Sequence, residues 1–163
     1  MLVGYNGINF FGSQKNKNIR SVEEEIEKVL FKLDFISHFN FGDLKKIGWG
    51  RATRTDKRVH ALLNTFSCKF QLQSQKIDGR WQTPTSAQEL DKIRLSINKE
   101  LPSDVKIFSM MQVSNNFNAK NATSYREYSY YLPTFMLTPI SELYLASAPK
   151  KTSMEEEKEE TKT

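Results

Sequence analysis

Two serines, Ser21 and Ser86, each stand three residues before a glutamate, Glu24 and Glu89, just ahead of an apolar stripe with helical spacing. A serine that binds the free amides of a first turn while the glutamate reaches back to it forms a capping box, a start signal for a helix. The first helix would then show Val22, Ile26, Val29, Leu30 and Leu33 on one face, with Glu23, Glu25, Glu27 and Lys28 elsewhere around it. The second would show Leu90, Ile93, Ile97 and Leu101, and stop at Pro102. Two one-sided helices need a common apolar surface, which a sheet supplies. Phe66, Cys68, Phe70 and Leu72 alternate with Thr65, Ser67, Lys69 and Gln71, the period of a strand with one wet face. Met1–Tyr5, ending in the turn Gly4-Tyr5-Asn6-Gly7, reads as a strand, as do Lys46–Gly50 and Val105–Val113. Tyr125–Leu132 reads as the last strand, with Tyr128 and Tyr130 on one face and Tyr131 on the other. Gln73–Thr85 and Ser114–Ser124 read as polar loops, the second interrupted by Phe117. The order β-α-β-β-α-β-β predicts an α+β sandwich, a largely antiparallel sheet with both helices on one face.

At 163 residues and 38% hydrophobic content, the chain suits one domain with tails and a core of ordinary size. No apolar run approaches the ~18 residues that span a bilayer, which argues against a membrane protein. The opening MLVGYNGINFFG lacks the features of a secretory signal. Cys68 is the only cysteine, so neither an internal disulfide nor a cysteine-based zinc site can form. An intracellular setting is expected, in the nucleus, the cytoplasm or an organelle. The net charge is +5; residues 150–163 carry −1 of it, leaving +6 on residues 1–149. That excess is compatible with a nucleic-acid surface. Met154–Thr163 is rich in Glu and Lys without apolar periodicity, and is expected to be disordered.

The chemistry concentrates in GRATRTDKRVHA, Gly50 to Ala61, where one carboxylate, Asp56, sits among Arg51, Arg54, Lys57 and Arg58. The cations carry donors suited to phosphate oxygens. They also favour the ionised form of Asp56, which is expected to remain an anion. An anionic aspartate can act as a nucleophile, a base or a metal ligand. No second acid lies nearby at ligand spacing, so no metal is expected, and nucleophile or base remains, with Arg54 as an orienting partner. The plainer reading is a solvated ion-pair loop contributing under about 1 kcal/mol. His60 reads as a hydrogen-bonded structural residue and Cys68 as core, while Trp49 suits packing and base stacking equally.

The run Arg54-Thr55-Asp56-Lys57-Arg58-Val59-His60-Ala61 resembles the R-T-D-x-G-V-H-A motif of tRNA pseudouridine synthases of the bacterial synthase A and eukaryotic synthase 1 type. Arg51-Ala52-Thr53 before it is similar to the eukaryotic form. Gly4-Tyr5-Asn6-Gly7 with Phe11-Gly12-Ser13-Gln14 resembles the family's opening, and Ser21-Val22-Glu23 its first helix start. Further on, Ile97 to Val105, Phe117 to Lys120 and Arg126 to Thr134 resemble its I-N-x-x-L-P-x-D-I, F-x-A-R and R-x-Y-x-Y-x-L-P-T segments. The resemblance implies an RRM-like sheet, the N-terminal half of the synthase fold, over residues 1–138, with 139–163 as linker and tail. It implies isomerisation of uridine to pseudouridine in tRNA, without a cofactor. Asp56 would be the catalytic aspartate, and Arg54 would pair with it and help fill the space left by an extruded nucleotide. Tyr128 would stack on the target base, and Arg51, Lys57 and Arg58 would bind phosphates.

Two departures stand out. Arg58 occupies the family's glycine position, and an arginine there is strained if the backbone has φ > 0. Nothing after Thr138 resembles the family's second half, which leaves an unpaired sheet edge and apolar candidates for an exposed surface at Phe135, Met136 and Leu137. Self-association, a partner chain or a truncated gene model would account for it. The alternatives to an enzyme are an RNA-binding protein that kept the fold and lost the reaction, and a structural half-domain that docks on a partner.

Overall fold

The computed structural model describes residues 1–72, 75–77, 80–82 and 86–137. The chain divides into two compact units, Met1–Tyr125 and Arg126–Thr163. The first is a mixed α/β fold with two helices and a four-stranded antiparallel sheet. Its elements are β1 (Leu2–Tyr5), α1 (Val22–Lys32), β2 (Gly50–Arg51), β3 (Ala61–Ser67), β4 (Gln75–Ile77), β5 (Arg80–Gln82), α2 (Ala87–Glu100) and β6 (Val105–Ser109). The main sheet runs β2-β3-β1-β6. Val3 sits at its centre, opposite Asn64 on β3 and Ile107 on β6. No helix among the described residues is long and apolar enough to cross a membrane.

Both helix starts form where the serines stand. Ser86 and Glu89 complete a capping box, each side chain bonding the other's backbone amide. Ser21 makes only its own half, accepting the Glu24 amide at 3.3 Å. The Glu24 side chain turns to Lys28 instead, an i,i+4 pair at 3.1 Å. The first stripe does as its spacing predicts and the second does in part. Val22, Ile26, Val29, Leu30, Ile97 and Leu101 are buried in one cluster with Val3, Phe66, Val105 and Ile107. Leu33 and Ile93 pack against it partly buried, and Leu90 is only half-buried.

Several expectations are corrected. Glu23 and Glu27, expected elsewhere on the helix surface, are fully buried. The strand expected at Lys46–Gly50 is instead a series of turns, with Lys46 bonding back to Asp43 and Gly48 to Lys45, and only Gly50–Arg51 joins the sheet. Gly48 has φ +60, a left-handed bend that takes the chain out of any ladder. For the same reason β3 stops early. Gly50 is paired with Ser67, and the turn before it breaks the ladder further on. Lys69 and Gln71 therefore bond the loop carbonyls of Ile47 and Phe35, while Cys68 and Phe70 still pack against the core. Within the expected loop at Gln73–Thr85, the described residues form the β4–β5 hairpin, Lys76 opposite Trp81. Strand β6 ends at Ser109 rather than Val113.

Tyr125–Leu132, expected as the last strand, enters no ladder among the described residues; Tyr130 and Tyr131 are almost wholly exposed. Alternating aromatics make a strand only where a neighbouring strand takes up their backbone groups. In the second unit Thr134–Leu137 is a short 3-10 turn, with Met136 and Leu137 exposed. The expected disordered tail, Met154–Thr163, lies outside the described residues.

Candidate active site

Asp56 lies on the loop that leaves β2 and returns as β3, and the N-terminal segment fixes that loop on both sides of it. Before Asp56, the Thr55 amide donates to Ser13 Oγ at 2.9 Å, and the Ser13 amide donates to the Thr55 carbonyl at 3.0 Å. The Thr55 hydroxyl meets Tyr5 Oη at 2.8 Å. Buried Asn64 on β3 donates to the Thr53 carbonyl at 3.0 Å and to Tyr5 Oη at 3.3 Å. After Asp56 the chain turns back, the Val59 amide bonding the Asp56 carbonyl at 3.2 Å. The Arg58 amide then donates to the Phe10 carbonyl at 3.1 Å, and the Gly7 amide to His60 Nδ1 at 3.3 Å. The two segments touch at glycines. A Cβ on Gly7 would stand 2.0 Å from the Val59 carbonyl oxygen. Gly12, at φ +118, passes against the Thr55 carbonyl, where a Cβ would come within 3.0 Å.

This clamp leaves the Asp56 side chain exposed at a depression of about 380 Å³, lined by Phe11, Gly12, Gln14, Asn16, Arg54, Thr55, Asp56 and Lys57. The loop thus brings Arg54, Asp56 and Lys57 to one place. Arg54 does not pair with Asp56: its Nη1 donates to Gln14 Oε1 at 3.2 Å. Lys57 Nζ lies over the Phe11 ring, 4.5 Å from its centre. Arg51 points elsewhere and forms an ion pair with Glu23. Arg58 is exposed and has φ +64, a left-handed conformation that a residue with a Cβ adopts at a cost. Tyr128 belongs to the second unit, where it is exposed.

Glu23 explains how a carboxylate survives inside the fold. It accepts the Lys15 amide and the Trp49 indole N–H, each at 3.0 Å, besides its pair with Arg51. Burial pushes its carboxyl above the usual range, and the Lys15 amide, Arg51 and Trp49 oppose that shift. Glu27 plays a parallel part, accepting the Gly42 amide at 2.9 Å and pairing with Lys15. Trp49 is therefore a packing residue, its ring 5.5 Å from that of Phe66. His60 is held in a hydrogen bond as expected. Burial pushes the Cys68 thiol up to about 12, which fits a core cysteine and not a nucleophile. Among the described residues, no three His, Cys, Asp or Glu side chains converge as a metal site would require.

The residues that the loop chemistry did not reveal are Ser13, Gln14 and Phe11, all from the Phe11-Gly12-Ser13-Gln14 stretch. Their signal was the pair of glycines at 7 and 12, which mark close backbone approach.

No family-wide sequence profile matches the chain. Individual proteins do. The tRNA pseudouridine(27/28) synthase of Saccharomyces cerevisiae is 33% identical over 137 residues, covering 84% of this chain. The tRNA pseudouridine synthase 1 of Schizosaccharomyces pombe is 30% identical over 138 residues, or 85% of this chain. The mouse pseudouridylate synthase 1 homolog is 30% identical over 138 residues, or 83%. This chain is a homologue of the tRNA pseudouridine synthases. The alignments take in only 32%, 23% and 29% of those relatives, respectively, so the chain spans between a fifth and a third of a synthase of this kind. That partial coverage fits the expectation that the likeness is to one portion of a synthase.

Proposed function

We propose that this chain is the aspartate-bearing portion of a tRNA pseudouridine synthase, and that Asp56 is its catalytic residue. The observation that carries the reading is the exposed Asp56 carboxylate at a depression it shares with Arg54 and Lys57, on a loop clamped from both sides. An isomerisation of this kind breaks the bond from ribose to uracil nitrogen and remakes it to uracil carbon; the base loses a proton at carbon and gains one at nitrogen. Bonds and charge balance, so no cofactor is needed. One carboxylate suffices, as a nucleophile towards the nucleoside or as a base towards a ribose proton. A rigid loop serves either role, because a misplacement of about 1 Å can cost 100-fold in rate.

Arg54, close to Asp56 along the rim, would help occupy the space vacated by an extruded nucleotide. Tyr128 would stack on the extruded uracil. Lys57 and Arg58 would meet backbone phosphates, Lys57 most directly since it lines the depression, whereas Arg51 is engaged by buried Glu23. The strand order β2-β3-β1-β6, with a helix after β1 and another before β6, supports an RRM-like arrangement, as in a synthase half-domain. The test is conversion of uridine in a tRNA transcript by the purified chain and by Asp56→Ala. Product from the parent alone supports the assignment, and equal product from both removes Asp56 from the chemistry.

One observation favours a second reading. Arg58 has φ +64 at the family's glycine position, and relief of that strain would turn the Asp56 loop away from the geometry of an active synthase. The chain would then bind tRNA without converting it, alone or beside a partner that completes the sheet. Retention of a tRNA transcript, weakening with salt, with no pseudouridine formed, would select this reading.

A further inference from the structure

Phe10 and Phe11 are neighbours with opposite fates. Phe10 is 2% exposed, while Phe11 is 54% exposed on the rim of the Asp56 depression. A single exposed phenylalanine is ordinary on a protein surface. This one differs in three respects. Its backbone is fixed, the Phe11 amide donating to the Arg20 carbonyl at 3.1 Å, so the ring is carried on a rigid mount. Its companions in the depression are polar or charged, namely Gln14, Asn16, Arg54, Asp56 and Lys57, so no apolar neighbour there explains it. Its face carries the Lys57 ammonium, 4.5 Å from the ring centre.

We infer that Phe11 and Lys57 form a nucleotide subsite beside Asp56, in which the ring stacks an unpaired base and the ammonium takes the adjoining phosphate. This rests on the proposed action on RNA and adds to it a residue pair that holds the nucleotide next to the reacting one. Lys57 covers the ring in the free chain. A cation over an exposed aromatic face is held weakly, and a charge-assisted bond to a phosphate oxygen is stronger. An arriving phosphate therefore draws Lys57 off the ring and bares the surface on which the base stacks. Stacking is indifferent to base identity, since each base has a π-face, so the subsite grips an extruded segment without reading sequence.

The test is binding of a fluorescein-labelled tRNA transcript to the full 163-residue chain, followed by anisotropy across a salt series. Phe11→Leu keeps an apolar side chain and removes the aromatic face. It should weaken binding roughly five- to fiftyfold, with the slope against log salt unchanged. Phe11→Tyr should restore affinity to within about twofold. Lys57→Gln should weaken binding and reduce the salt slope by about one. Thermal midpoints of all three variants within about 2 °C of the parent confirm that the fold is intact. Parent-like affinity for Phe11→Leu, or a loss that Phe11→Tyr shares, overturns the subsite. Because binding is read without turnover, a parent that binds but forms no pseudouridine sinks the proposed reaction and leaves the subsite standing. A parent that fails to bind tRNA at low salt sinks both.

Discussion

Arg58→Gly should make this protein more stable, an unusual direction for a loop glycine. Arg58 has φ +64, where a side chain with Cβ crowds the following carbonyl at a cost of roughly 1–2 kcal/mol. The arginine is exposed and takes part in no ion pair among the described residues, so its removal forfeits little packing. Its amide bond to the Phe10 carbonyl at 3.1 Å needs no side chain and persists. Against the gain stands the greater freedom of glycine in the unfolded chain, roughly 0.5–1 kcal/mol. The net is about 0–1.5 kcal/mol in favour of glycine, a rise in midpoint of up to roughly 6 °C for a chain of this size. Urea unfolding measures it, with the m-value serving as a check that the unfolded state is unchanged. Two controls separate backbone strain from loss of charge. Arg58→Ala keeps the Cβ and should stay within about 0.5 kcal/mol of the parent, while Arg58→Val should lose about 1 kcal/mol or more because β-branching deepens the strain. A fall in stability for glycine, or an equal gain for alanine, would refute the reasoning.

Gly7→Ala should destabilise by about 3 kcal/mol or more, because its Cβ would meet the Val59 carbonyl oxygen at 2.0 Å and one of the two backbones must move. Chemical denaturation measures it, and a change under about 1 kcal/mol would mean that the contact gives way freely. The Cys68 thiol, pushed up to about 12, should resist iodoacetamide at pH 8 in the folded chain and react readily in urea. The thiol's folded value exceeds its unfolded one, so its stabilising share is present below about pH 9 and is lost as pH rises towards 12. Rapid labelling of the native chain would show that the site is open.

The helices were legible because their signals are local: a cap and a stripe lie within a few residues of each other, and both formed where Ser21 and Ser86 stand. Strands were legible only as tendencies. Phe66 to Leu72 has the period of a strand, yet the ladder ends at Ser67, since a strand's length is decided by the turn at Gly48 on another part of the chain. Tyr125–Leu132 failed in the same way. Glu23 and Glu27 misled because polarity alone says surface. What buries them is a set of donors, Lys15, Gly42, Trp49 and Arg51, scattered along the sequence. In the candidate site, the gathering of Arg54, Asp56 and Lys57 could be read from their adjacency. The partners that hold them could not. Ser13 and Thr55 meet across 42 positions of chain, and no local rule announces such a pair.

The reciprocal bonding of Ser13 and Thr55 ties the history of two distant stretches together. Neither can drift under mutation without disturbing the other, so the opening fifteen residues inherit the constraints of the carboxylate's loop. An allele altered at Gly12 or Ser13 should therefore present, in a cell, like an allele altered in the Arg54–Arg58 loop itself.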